Sequence, residues 1–283
     1  MLTKFWQKFI KIIIYRSGMK SYLGIFNMQF KGELQYRAKA FSGILTQFFW
    51  GLLYICLYTA FMKNGTVNGF SVSQMTSYVW LSQAFFVIRF VGIGKNVGSE
   101  ITSGNVCYKF VRPINVYNLW YAEYLGEKLA ASALRFAPII VIAFCLPQGF
   151  NMSLPASVPA FFLFLLTLIL GLLISVALSM FAVNIIFKTL SVKGSTGIVS
   201  TICGLLGGFY IPLPFLPKTL QTILSYLPFR YVGDLPFRIY VGSISVTDGL
   251  IYAGISVGWL VILILLGKLL MKKALKKTII QGG

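Results

Sequence analysis

Long apolar runs joined by short loops dominate this chain, and they leave it few ways to fold. One run is Phe41–Met62, another Val158–Phe187, and a last Leu250–Met271. Each is at least about 20 residues, the length a helix needs to cross a hydrocarbon core roughly 30 Å thick. The chain therefore reads as an all-α integral membrane protein. Composition agrees, with 57% hydrophobic and only 11% charged residues, against about 25% charged in a soluble domain. A net charge of +19 would suggest nucleic acid if the chain were soluble. Here the basic residues sit in tails and loops around apolar spans. The expected counter-charge is anionic lipid, with no nucleic-acid partner.

Six spans are expected, at about 41–62, 73–94, 120–146, 157–187, 196–212 and 249–271. Charge interrupts the second and third, through Arg89, Glu123, Glu127, Lys128 and Arg135. Loop charge sets orientation. The stretch 1–40 holds eight Lys or Arg, loop 95–119 holds Lys95, Lys109 and Arg112, and loop 188–195 holds Lys188 and Lys193. The tail adds Lys272, Lys273, Lys276 and Lys277, whereas loop 63–72 has only Lys63 and loop 147–156 has none. Both termini are thus expected in the cytoplasm, which requires an even number of spans. Three segments result: an interfacial stretch 1–40, a six-helix domain 41–271, and a basic tail 272–283.

Two stretches before the first span have helical amphipathic spacing. In Lys4–Arg16 the lysines at 4, 8 and 11 oppose Phe5, Trp6, Phe9, Ile12 and Ile13. In Met19–Arg37 the apolar positions 19, 22, 23, 26, 30 and 34 share a face. Basic amphipathic helices of this kind lie in the headgroup plane. The interrupting Lys8, Lys11 and Arg16, with no small-residue cleavage site after them, argue against a cleaved signal peptide.

The stretch 212–248 is too apolar for a solvated loop. Its prolines 212, 214, 217, 228 and 236 forbid one continuous span. Short broken helices dipping into the outer leaflet fit it, as an outer cap over something buried or wet. Pro212, Pro214, Pro217 and Pro228 mark that cap.

Catalytic chemistry is sparse. No GxxxxGK[ST] phosphate loop occurs, so the chain binds no ATP by that route. HExxH and GxSxG are absent too, as is histidine. Cys56, Cys145 and Cys203 lie in apolar runs and Cys107 in a polar loop, without metal-ligand spacing. The acids Glu33, Glu100, Glu123, Glu127, Asp234 and Asp248 avoid span centres, which disfavours a proton-coupled carrier. Intramembrane charge then reduces to Arg89 and Arg135. Arg89 is expected to snorkel from the cytoplasmic end of the second span. Arg135 lies deeper, and either pairs with an acid on another helix or faces a polar cavity. Glu123 and Glu127 share a helical face and are expected to pair with nearby bases. Small residues Gly204, Gly207 and Gly208 in the fifth span allow close helix packing, or a flexible point at a gate.

Loop 95–115 reads KNVGSEITSGNVCYKFVRPIN. A short helix around 95–102 is expected to stop at Gly104. Here the sequence resembles the type-2 family of ABC transporter permeases, in its bacterial six-span branch. Three blocks carry the likeness: Leu34-Gln-Tyr-Arg-Ala-Lys-Ala-Phe; Glu100-Ile-Thr-Ser-Gly with Phe110-Val-Arg-Pro-Ile-Asn; and the proline-rich run from Ile211 through Tyr226-Leu-Pro-Phe-Arg-Tyr to Leu235-Pro-Phe-Arg-Ile-Tyr-Val-Gly. The resemblance implies an elbow helix before the first span, a coupling helix in the loop between spans two and three, and broken outer helices between spans five and six. It implies docking on a separate ATPase through residues around 96–104, from Asn96 to Gly104, with Glu100 as the polar contact and Arg112 and Pro113 setting re-entry into the third span. It also implies two ATPase copies that carry the ATP and Mg, and a second permease, identical or related. No cofactor on this chain is expected. A translocation path near Arg135, Gly204, Gly207 and Gly208 would pass a hydrophobic or amphipathic cargo: a drug, a peptide or a lipid-linked molecule. Two other readings compete, a non-transporting scaffold or insertase and a membrane-embedded lipid-modifying enzyme. The second would need acid–base or metal groups at the interface.

Overall fold

The computed structural model describes residues 19–62, 66–67, 69–94, 96–110 and 114–277. The amphipathic stretch Lys4–Arg16 and the pair Arg112 and Pro113 lie outside the described residues. The fold is 80% helical and all-α. A two-residue antiparallel ribbon, β1 (Thr66–Val67) against β2 (Phe70–Ser71), is a minor addition.

Residues 19–34 form α1, which ends in a turn at Gln35 and Tyr36. Then come α2 (Arg37–Phe61), α3 (Val72–Ala84), α4 (Phe86–Arg89), α5 (Val97–Thr102), α6 (Cys107–Phe110) and α7 (Val116–Cys145). The second half holds α8 (Val158–Thr189), α9 (Val192–Leu206), α10 (Lys218–Ser225), α11 (Asp234–Tyr240) and α12 (Val246–Lys277). Side-chain caps open several of these. Ser71 and Gln74 form a reciprocal capping box on α3, and Ser157 accepts from the Ala160 N–H at the start of α8. Asn115 and Ser191 do the same for α7 and α9.

Among the described residues, four helices are long and apolar enough to cross a membrane: α2, α7, α8 and α12. The second and fifth expected spans come out shorter. Helix α3 is 13 residues, about 20 Å at 1.5 Å per residue. It is separated from α4 by Phe85, and the backbone is already extended at Phe90. Helix α9 is 15 residues, about 22 Å. It stops because Gly207 and Gly208 turn the chain, with Gly208 in the left-handed region (φ +72°).

Helix α8 is the hub. It packs against α12, α11, α9 and α7 and buries Ile174, Val176, Ala177, Met180, Val183 and Ile186 almost completely. Its hydrophobic character all round suits that central place. By contrast α2 buries only Ala40, Gln47, Gly51 and Ile55.

Helix α1 lies against the first half of α7. Tyr22, Phe26 and Phe30 of its apolar face are half-buried, whereas Met19 and Leu23 of the same face stay exposed. The Tyr22 hydroxyl accepts from the Asn115 N–H at 2.9 Å, and the Gln29 amide donates to Glu123 at 3.3 Å. Gly126 makes the approach possible, because a Cβ there would sit 2.5 Å from the Phe26 carbonyl oxygen. Backbone cannot step aside as a side chain can. Gly126→Val should therefore destabilise the α1–α7 contact by about 1–3 kcal/mol. A fall in thermal midpoint, with faster labelling of a cysteine placed at Gln29, is the expected readout. An unchanged midpoint and labelling rate would remove the contact from the account.

Candidate functional site

An aromatic ladder climbs α2. Trp50, Tyr54 and Tyr58 recur every four residues, so they stack on one helical face. Centroids are 5.7 Å apart for Trp50–Tyr54 and again for Tyr54–Tyr58, and Tyr58 then meets Phe215 at 4.9 Å. Phe215 belongs to the 3₁₀ turn Leu213–Phe215 that begins the proline-rich region.

Behind the ladder is a cavity of about 170 Å³ between α2, the α3–α4 pair and the turn after α9. Its walls include Trp50, Tyr54, Tyr58, Tyr78, Phe86 and Phe209, with Thr46, Gln47, Ser82, Gln83, Arg89 and Gly208 as the polar or backbone-exposing part. Such a mixture, mostly apolar with a few placed polar groups, is the usual character of a ligand site. Gln47 is 6% exposed, and its Oε1 has no hydrogen-bond partner among the described residues. A buried acceptor left unpaired costs about 1–3 kcal/mol. A ligand donor entering the cavity would relieve it.

Arg89 is the charged member of this lining. It does not snorkel outward as expected from its position in the sequence. Its guanidinium is buried, donates to the Gly208 carbonyl at 2.6 Å, and lies 5.2 Å from the Phe209 ring centroid and 5.7 Å from that of Phe237. The cavity thus holds a fixed positive charge and no carboxylate among its described lining residues. That field favours neutral or anionic groups over cations.

The proline-rich stretch forms broken helices, as its sequence predicts. Pro212 precedes the Leu213–Phe215 turn and Pro214 sits inside it; Pro217 caps α10; Pro228 opens a second 3₁₀ turn, Pro228–Val232. Asp234 anchors the stretch. It is fully buried, accepts from the Tyr78 hydroxyl at 3.1 Å and from Arg230 Nε at 3.2 Å, and has Arg238 at 3.9 Å. Arg230 also lies 4.8 Å from the Tyr252 ring centroid, and Arg238 lies 5.6 Å from that of Phe70. One carboxylate therefore ties α11 to α3, while its arginines reach α12 and the β-ribbon.

The loop after α4 folds into a braced element. Helix α5 ends where expected, with Gly104 in the left-handed region (φ +76°) and the Val106 N–H reaching back to the Glu100 carbonyl at 3.1 Å. Val97, Gly98 and Ile101 face inward, and Gly98 lies against Val192 at the start of α9. Asn96, Ser99, Ser103, Gly104 and Tyr108 are exposed. Glu100 points inward instead. It pairs with Lys109 at 2.5 Å and accepts from Trp120 Nε1 at 3.2 Å, while Lys109 also sits 3.7 Å from Glu123. This partly buried cluster pins α5 and α6 to α7.

The expected path residues do not all converge. Gly208 lines the cavity, but Gly204 packs under the Tyr210 ring and Gly207 under the Phe229 carbonyl. Arg135 lies apart, over the α2 backbone at Gly43 and 3.5 Å from the Lys39 carbonyl. Sequence reasoning missed Lys128 as a buried charge. It is 2% exposed, donates to the Ile88 carbonyl at 3.2 Å, and also contacts the Ser175 hydroxyl. Gln47 and Gln83 were missed as well, since an amide in an apolar run carries no spacing signal. Asp234 had one: Arg230 and Arg238 flank it at four residues on either side.

Among known protein families, residues 47–282, most of the chain, match the one described as ABC-2 family transporter protein. No curated protein matches the chain.

Proposed function

The chain belongs to the ABC-2 family of transporter proteins, and on that premise we propose that it is the permease subunit of an ATP-binding cassette exporter. It forms half of a translocation path, beside a second permease that is identical or paralogous. Two copies of a separate ATPase subunit bind the ATP and Mg and drive it. Six passes are counted as α2, the α3–α4 pair, α7, α8, α9 and α12, with the two short ones sheltered by their neighbours. Both termini lie in the cytoplasm under this reading, as loop charge indicates.

The observation that carries the reading is the braced α5–α6 element. It presents Asn96, Ser99, Ser103 and Tyr108 outward from a base fixed by Glu100, Lys109 and Trp120. A short rigid helix held at one end of long helices is suited to receive a push from a soluble partner. The aromatic cavity supports an amphipathic cargo, with Trp50, Tyr54 and Tyr58 as stacking surfaces and Gln47 as an acceptor. Arg89 argues against cationic cargo.

Co-expression with an ABC ATPase encoded beside it, followed by detergent purification, tests the assignment. A stable complex is expected, and Ser99→Trp with Tyr108→Ala should cut co-purified ATPase at least tenfold. No complex with any such ATPase would overturn the exporter reading and favour the scaffold. In the same preparation, Gln47→Leu and Trp50→Ala should leave basal ATP hydrolysis intact. Each should raise the half-maximal concentration for cargo stimulation about tenfold, which corresponds to about 1.4 kcal/mol. An unshifted stimulation curve would take the cavity out of the path.

A further inference from the structure

We infer that the lysine-bearing end of α12 and the start of α7 form a specific site for an anionic phospholipid. A groove of about 860 Å³ runs between these two elements. Tyr117, Leu265, Lys268, Leu269, Lys272 and Lys276 carry the argument among its lining residues. The inference rests on the membrane-protein fold and is independent of the exporter reading.

Charge comes first. Lys268, Lys272 and Lys276 recur every four residues, so they align on one face over about 12 Å of helix. Among the described residues no carboxylate lies within ion-pair distance of any of the three. The acid of α12, Asp248, belongs to the opposite end of that helix. Three like charges on one face repel each other, and an anion between them removes that repulsion.

The second observation is a donor without an acceptor. Tyr117 is 2% exposed, and its hydroxyl has no hydrogen-bond partner among the described residues. Gly267 lets the ring come close against α12, since a Cβ there would sit within 2.7 Å of it. Lys268 Nζ sits 5.9 Å from the same ring centroid. The phenol and the first ammonium of the stripe therefore meet at one place. A phosphodiester oxygen accepts from the hydroxyl while its charge meets the lysines, and such charge-assisted bonds are the strong ones.

The walls identify the rest of the ligand. Leu265 and Leu269 are exposed apolar residues that extend the groove from the lysines toward the middle of α12. Acyl chains match that wall, whereas a free phosphate would leave it bare. Basic pockets between helices at the membrane surface bind anionic headgroups in this way.

Native mass spectrometry of the full-length protein gives the test, after equilibration with mixed micelles of equal phosphatidylglycerol and phosphatidylcholine. Wild type should retain phosphatidylglycerol at least tenfold over phosphatidylcholine. The variant K268Q/K272Q/K276Q should lose that preference. The matched variant K20Q/K31Q/K193Q, which removes three exposed charges elsewhere, should keep it. Tyr117→Phe should reduce retention a few-fold with no change in thermal midpoint in phosphatidylcholine. Lys272→Gln alone, at an exposed position, should lower retention measurably even if the triple variant folds poorly. Equal retention of both lipids by wild type, or equal loss in the matched variant, would overturn the site. So would full competition by inorganic phosphate, which would reduce it to an anion contact.

Discussion

Replacing Asp234 with alanine should cost the fold about 3–5 kcal/mol, the range for removing one partner of a buried ion pair. The loss is large because of what remains behind. Arg230 keeps a side chain that is 5% exposed, and its guanidinium would lose its carboxylate while keeping the Tyr252 ring 4.8 Å away. Tyr78 would lose the acceptor of its hydroxyl as well. Unfolding by denaturing detergent, followed by tryptophan fluorescence, reads the effect. Asp234→Asn keeps an acceptor for Tyr78 without the charge, so it should fall between alanine and wild type. Arg230→Met in the alanine background should recover part of the loss, because the unpaired charge is then gone. A loss below about 1 kcal/mol for Asp234→Ala, the size of an exposed pair, would show that the proline-rich region is anchored by its apolar contacts instead.

Reversing the charge at Glu100 should reduce cargo-stimulated ATP hydrolysis at least tenfold, and the partner swap should restore part of it. The likeness to permeases implies an ATPase contact at Glu100, whereas its carboxylate turns toward Lys109 and Trp120. These two roles separate experimentally. If Glu100 positions α5, then Glu100→Lys combined with Lys109→Glu re-forms the pair and should recover part of the coupling. The rest stays lost because position 109 also faces Glu123 at 3.7 Å and the Trp120 N–H loses its acceptor. Glu100→Gln, which still accepts from Trp120, should be milder than Glu100→Arg. If Glu100 touches the ATPase directly, the swap recovers nothing, and that outcome would return it to the docking face. The comparison is made at constant ATPase stoichiometry, so that a failure to assemble is not mistaken for a failure to couple.

Much of the architecture was legible because lipid imposes simple rules. Runs as long as Val158–Phe187 admit little besides a spanning helix, and α8 follows it closely at Val158–Thr189. Gly104 ends α5 as its spacing predicts, and the prolines break the 212–240 stretch as their chemistry requires. The second span was read too long because Phe85-Phe86-Val87-Ile88 is apolar whether or not a helix continues through it. The break at Phe85 depends on tertiary packing, where its ring meets Phe136, Phe164 and Phe237. The inward turn of Arg89, expected to snorkel, and the burial of Lys128 escape the sequence for a related reason. A long basic side chain can reach toward water or turn inward, and only the presence of the Gly208 and Ile88 carbonyls decides which. The cavity was invisible because its walls come from distant parts of the chain, joined by contacts that no local period encodes.

The two walls of that cavity differ in how freely they can change over evolution. The α3 wall belongs to a helix buried at every position from Met75 to Ala84, so a substitution there disturbs the core on several sides. The α2 wall belongs to a helix that buries four residues along its length. Trp50 is exposed and Tyr54 and Tyr58 are half-buried, so exchanges there cost the fold less than exchanges on α3, chiefly the ring contacts with one another and with Phe215. Under the proposed transport role, divergence in what is carried should accumulate on α2 among descendants of this gene, while α3 stays nearly fixed. Selectivity would then drift through one face of one helix, leaving the rest of the protein as an inherited chassis.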